Sequence, residues 1–67
     1  MPTELYYQLD RLVSQYGMVK VIYQLTEVCH ARTDRSQREH NHSGAQQWRT
    51  LCLALSAAEA TAVRHEL

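Results

Sequence analysis

Four histidines and two cysteines are the side chains of this sequence best suited to bind a metal. The closest pair, His40 and His42, is separated by one residue and could chelate a transition metal from a loop. Structural zinc sites usually add a second pair of ligands at short spacing, and this sequence contains no second pair. Cys29 and His30 are adjacent, so on a helix they would point about 100° apart. We therefore expect no metal site.

Catalytic chemistry has little support in the sequence. A nucleophilic thiol needs a depressed pKa in a partly exposed cleft, whereas Cys29 and Cys52 fall in apolar stripes and are expected to be buried thiols. The serines lack the glycine context of a nucleophile elbow, and two glycines are too few for a phosphate-binding loop. We therefore expect a protein that is not an enzyme, with no catalytic residue and no cofactor.

Length and charge restrict the class of protein further. A domain of this size buries only about 60% of the surface of its unfolded chain, so its stability is marginal. Such a domain usually needs further stabilisation, for example by a partner subunit. Seven Lys and Arg balance seven Asp and Glu, so the net charge does not attract nucleic acid or anionic lipid. The sequence shows no signal peptide and no apolar run near the ~20 residues that cross a bilayer. A single cytoplasmic domain, 1–67, is expected.

Two apolar stripes at helical spacing predict two helices, one on each side of Gly17. Both stripes follow the i, i+3, i+4, i+7 pattern, and glycine often separates helices because it adopts positive φ without a steric clash. Thr3 is a suitable N-cap, and we expect helices near 3–16 and 18–36. The stripes consist of Leu5, Leu9, Leu12, Val13 and Tyr16, and of Met18, Val21, Ile22, Leu25, Val28 and Cys29.

A polar segment, 32–44, follows the second stripe and contains no aliphatic residue. We expect this segment to bury no side chain and to form a solvated helix extension, a loop, or both. Ser43 is a suitable cap for an alanine-rich third helix near 44–65. The sequence predicts an all-α fold, a small three-helix bundle in which two helices form a hairpin and the third returns across them. The predicted core is the two stripes without Met18, together with Trp48, Leu51, Cys52, Leu55 and Ala58.

Apolar residues outside these stripes indicate a surface that binds protein. Such residues either wrap the edge of a small bundle or contact a partner, and tyrosine is enriched at interfaces. We expect an adaptor or inhibitor that docks on a protein, and also a homodimer formed through an apolar helix face. The expected contact residues are Tyr7, Val19, Tyr23 and Leu53, with Arg32, Arg35 and Arg38 as charged contacts.

Nucleic-acid binding is the alternative function. Gly17 between two helices allows a helix-turn-helix, but the second helix offers only Lys20 and Gln24 among aliphatic residues to read base edges. The arginines of segment 32–42 could contact phosphate, although carboxylates lie between them. The alternative is therefore a small nucleic-acid-binding module that uses this Arg- and His-rich segment.

One long stretch of the chain has a distinctive spacing. It reads Leu9-x-x-Leu12-Val13-x-x-Tyr16-Gly17 and continues with Val21-x-x-x-Leu25-x-x-Val28-Cys29. In this spacing, and in a last helix with Trp48 and many alanines, the chain resembles a group of short uncharacterised helical proteins of bacteria and their phages. The resemblance spans 9–62 and implies a helical fold without an assigned activity. Small bacterial or phage regulators, including the anti-CRISPR kind, have this size and neutrality.

Overall fold

A computed structural model describes residues 3–67, which form three α-helices. Helix α1 spans Glu4–Tyr16, α2 spans Met18–Arg38 and α3 spans His42–Arg64. These helices confirm the predicted all-α, three-helix bundle, and no strand is present in this range. The observed helix ends lie close to the predicted ones, because the apolar periodicity and the capping residues are local properties of the sequence.

Helix α1 begins and ends at the two residues that the sequence indicated. Thr3 is its N-cap, with a side-chain oxygen that accepts a hydrogen bond of 3.3 Å from the Tyr6 amide. Gly17 ends the helix with φ 87° and ψ 155°, and its amide donates to the Val13 carbonyl at 2.8 Å. This backbone conformation is nearly restricted to glycine. Because Gly17 also precedes Met18, one residue joins α1 to α2.

A short turn after α2 reverses the chain. The amide of Asn41 donates to the Ser36 carbonyl at 2.8 Å, and the amide of His40 donates to the Gln37 carbonyl at 3.0 Å. These two bonds define a Schellman motif, whose left-handed position is occupied here by His40 with φ 58°. Glycine usually takes that position, so the reversal places a histidine in a strained conformation.

Asn41, rather than the predicted Ser43, is the N-cap of α3. Its side-chain oxygen accepts a hydrogen bond of 2.9 Å from the Gly44 amide. Ser43 lies inside the first turn of the helix, which begins at His42. Because Asn41 already satisfies an amide of the first turn, the helix starts two residues earlier than its apolar pattern suggested.

Helices α2 and α3 pack against each other as a hairpin, and their shared contact is called the α2–α3 seam below. Its positions recur at intervals of three and four residues, as in a coiled coil, and each is buried or half-buried. Every buried residue of the described chain lies at a seam position. The seam consists of Val19, Ile22, Thr26, Cys29, Thr33 and Ser36 of α2 and of Ala45, Trp48, Cys52, Leu55, Glu59 and Ala62 of α3.

Small and polar side chains fill much of the seam. The hydroxyl of Thr26 donates to the Ile22 carbonyl at 3.0 Å, and the hydroxyl of Thr33 donates to the Cys29 carbonyl at 2.9 Å. Since each hydroxyl is satisfied within its own helix, the threonines can be buried without an unpaired polar atom. The expectation that segment 32–44 buries nothing is wrong, because Thr33 and Ser36 are buried.

Most of the predicted core is not buried. Among the described residues, α1 contacts α2 but not α3, and α1 has no buried residue. The third helix therefore returns along α2 alone, on a side about 100° around that helix from Val21, Leu25 and Val28. Cys29 and Cys52 are the only buried members of the predicted core; Val13, Val21, Ile22, Trp48 and Leu55 are half-buried, and Leu5, Leu9, Leu12, Tyr16, Leu25, Val28, Leu51 and Ala58 are exposed.

Candidate protein-binding surface

An apolar groove of about 660 Å³ lies between α1 and α2 and is called the α1–α2 groove below. Two helical stripes form it, since Gly17 turns the chain and places the apolar sides of both helices along one cleft. Its apolar walls include Leu9, Leu12 and Tyr16 of α1 and Val21, Leu25 and Val28 of α2.

The side chains of the groove are open to solvent. Leu9 is 41% exposed, Leu25 is 43% exposed and Val28 is 52% exposed. Next to the groove, Leu5 continues the α1 stripe and is 61% exposed. Single exposed leucines are common on protein surfaces, but a contiguous apolar surface on two helices marks an interaction site or a groove for a ligand.

Two of the predicted contact residues, Val19 and Tyr23, line this groove. Tyr23 is exposed, as expected for a contact residue. Val19 is half-buried, because it occupies the first position of the α2–α3 seam, so the expectation that it lies away from the packed faces is wrong. The structure therefore brings these two residues together at one surface.

Tyr7 and Leu53, the other apolar contact residues predicted from the sequence, lie outside the groove. Both are strongly exposed. Tyr7 projects from the side of α1 opposite its stripe, and its ring meets the ring of Tyr6 edge-on with centroids 5.7 Å apart. Leu53 belongs to α3 and does not contribute to the groove lining either.

The three predicted arginine contacts are exposed, but two of them interact within the chain. Arg35 forms an ion pair with Glu39, with 2.9 Å between Nε and Oε1. The guanidinium of Arg32 lies over the ring of Trp48, 5.9 Å from the ring centroid, at a distance typical of a cation–π contact. Glu39 thus balances part of the positive charge of this segment, while Arg32 keeps its charge beside the Trp48 ring.

Two charged residues at the groove were not identified from the sequence. Lys20 of α2 and Glu59 of α3 both line it. Glu59 is half-buried because it occupies a seam position between Leu55 and Ala62. The seam residues of α3 are spaced three and four residues apart without interruption, and continuing this spacing along the sequence would have predicted Glu59 at a seam position. The groove therefore carries one positive and one negative charge beside an apolar floor.

Cys29 and Cys52 are free, buried thiols in the α2–α3 seam, away from the groove. Burial raises the pKa of the Cys29 thiol, and the neighbouring Cys52 raises it further through its charge and a hydrogen bond. A raised pKa lowers the fraction of thiolate, the form that acts as a nucleophile. These thiols are therefore packing groups of the hairpin.

Within residues 3–67, no three His, Cys, Asp or Glu side chains come close enough together to hold a metal ion. None of the three described helices combines the length and the apolar character that crossing a bilayer requires.

Comparison with known proteins gives no relative for this chain. It matches no protein-family model, no curated protein and no solved structure.

Proposed function

We propose that this chain is a small protein-binding adaptor or inhibitor, and that its docking surface is the α1–α2 groove with the adjoining stripe of α1. The observation that supports this proposal is the exposure of leucine, valine and tyrosine side chains along both helices. Removing apolar surface from water is the main favourable term in protein association. A surface of this kind gains free energy when a second protein covers it.

The shape of the groove favours a helical or extended segment of a protein as its occupant. An amphipathic helix docks in such a groove by placing an apolar residue every three or four positions against the floor. The exposed Tyr23 adds a ring with a polar hydroxyl, which suits an interface that is partly wet. Lys20 and Glu59 beside the groove would orient such a segment by its charges.

The proposal places the activity in binding rather than in catalysis. The buried thiols belong to the hairpin, and the groove is lined mainly by aliphatic and aromatic side chains. We propose a cytoplasmic regulator of bacterial or phage type, of the anti-CRISPR kind in its manner of action, which blocks or bridges another protein. Nucleic-acid binding has weaker support because Arg32 and Arg35 interact within the chain.

The experiment is affinity capture from a native lysate of the cells that encode the chain. Three tagged proteins are compared: the natural chain, Leu25→Glu in the groove, and Ala60→Glu on an exposed part of α3. We expect the natural chain and Ala60→Glu to retain the same protein, and Leu25→Glu to lose it, because a glutamate in the groove would be desolvated on docking.

Folding of the variants is checked by far-ultraviolet circular dichroism. Leu25 is exposed rather than part of the buried seam, so Leu25→Glu is expected to keep the helical content of the natural chain. A captured protein that Leu25→Glu retains as well as the natural chain does would show that the groove is not the docking surface. Failure to capture any protein with the natural chain would count against the adaptor function.

A further inference from the structure

The folded chain exposes more surface than its mass accounts for. Its accessible surface is 5533 Å², whereas a compact 7.8 kDa chain is expected to expose about 4,400 Å². Its radius of gyration is 13.8 Å, against about 11 Å for a compact chain of 67 residues. The excess area of about 1,100 Å² is close to the ~800 Å² that each partner contributes to a standard protein–protein interface.

The α1 stripe is suited to contact an identical stripe. It consists of Leu5, Leu9, Leu12, Val13 and Tyr16, and none of these residues is buried. On a helical projection, the residues that border the stripe are Tyr6, Gln8 and Gln15, which are uncharged. The charged residues of α1 are Glu4, Asp10 and Arg11, and each lies more than about 100° from the centre of the stripe. Two copies of α1 can therefore meet without repulsion between like charges.

The charges beside the groove are also compatible with a second copy. Lys20 and Glu59 supply one charge of each sign. A twofold axis presents the same surface from both sides, so a surface with one cation and one anion can face itself in a complementary way. The net charge of zero adds no long-range repulsion between copies.

We infer that, in the absence of another protein, a second copy of this chain covers the docking surface, with the α1 stripes of the two copies packed together about a twofold axis. This inference rests on the proposed function, because it names the occupant of the same surface. A dimer of this kind covers the excess exposed area and adds a buried apolar contact to the small buried seam of a single copy. A different protein partner then has to displace the second copy or join the dimer.

The test is sedimentation equilibrium of the purified natural chain over a hundredfold dilution series. Leu9→Glu places a charge in the stripe, and the matched control Ser14→Glu places the same charge on the opposite, exposed side of α1. We expect the natural chain and Ser14→Glu to be dimers with similar dissociation constants. Leu9→Glu is expected to raise the dissociation constant by about 100-fold.

Thermal unfolding of the natural chain provides a second measurement, because its midpoint rises with protein concentration when dimerisation stabilises the fold. If Leu9→Glu does not fold, Leu9→Ala replaces it as the test variant. We expect Leu9→Ala to raise the dissociation constant of the dimer about tenfold and Ser14→Ala to leave it unchanged. A natural chain that is monomeric at every concentration would overturn the inference. A dimer that survives both substitutions of Leu9 would also overturn it.

The capture experiment separates this inference from the proposed function. A monomeric natural chain that still captures a protein through Leu25 would leave the docking function standing and remove the second copy as the occupant. A monomer that captures nothing would overturn both.

Discussion

The thiol of Cys52 lies next to the thiol of Cys29 within the α2–α3 seam, and the two residues come from different helices. Both thiols are buried and reduced. A cysteine side chain is small, so two of them can face each other where the helix backbones approach closely. The buried positions of the seam thus carry only thiols, hydroxyls and methyl groups, while most of the large aliphatic side chains are half-buried or exposed.

The raised pKa of Cys29 predicts a loss of stability in alkaline solution. The folded state holds the thiol proton more tightly than the unfolded state, so this contribution is fully present below the ordinary pKa of 9.0. It is lost as the pH rises through the folded-state pKa. Urea unfolding across this range should show a steeper decline in the free energy of unfolding for the natural chain than for Cys29→Ala.

That comparison isolates the thiol, because Cys29→Ala leaves every other ionisable residue in place. Identical pH profiles of the two proteins would show that Cys29 does not ionise differently in the folded and unfolded states.

The left-handed conformation of His40 predicts that His40→Gly stabilises the protein. Glycine adopts φ 58° without a steric clash, so the free energy of unfolding should increase by about 1 kcal/mol. The matched control is Gln37→Gly, because Gln37 lies in the exposed last turn of α2 with a helical backbone. That change should lower stability by up to about 1 kcal/mol. Chemical denaturation measures both, and a destabilised His40→Gly would contradict the turn geometry.

The cap formed by Asn41 predicts a coupling between Asn41 and Gly44. A Cβ added at Gly44 would lie 2.8 Å from the Asn41 Cγ and would also clash with Nδ2, so Gly44→Ala displaces the cap. Loss of the cap destabilises the helix by about 1 kcal/mol, and the higher helix propensity of alanine offsets this by about 1 kcal/mol. Gly44→Ala should therefore be nearly neutral in the natural chain.

In an Asn41→Ala background no cap remains to be displaced, and Gly44→Ala should stabilise by about 1 kcal/mol. The double-mutant cycle measured by chemical denaturation should show a coupling of about 1 kcal/mol. Additive effects would show that Gly44 does not make room for the Asn41 side chain.

The interactions of Arg32 and Arg35 predict little affinity for nucleic acid. Phosphate binding by several free arginines would give an affinity that falls steeply with salt. We expect the natural chain to show no such binding to mixed-sequence DNA or RNA in fluorescence anisotropy. Tight binding that weakens with salt, is lost in Arg35→Ala/Arg38→Ala and persists in Arg64→Ala would instead establish segment 32–42 as a nucleic-acid site.

The sequence by itself determined the three helices and the joint between α1 and α2. Thr3 and Gly17 were sufficient to define α1, since a cap and a positive-φ glycine act within a few residues of the chain. The apolar stripe of α1 and its groove partners on α2 were also visible in the pattern. Tyr23 was predicted to be a contact residue because it lies away from the apolar stripe of α2, and it lines the groove.

Only the tertiary structure decided which side of α2 is covered. Two sides of that helix have helical spacing: the aliphatic side with Leu25 and the side with Thr26, Cys29 and Thr33. Periodicity cannot distinguish them, because the outcome depends on how closely α3 can approach. Small side chains whose hydroxyls are satisfied within their own helix permit close packing over the full length of the hairpin. The aliphatic side consequently stays open, and it is the surface through which we expect the protein to act.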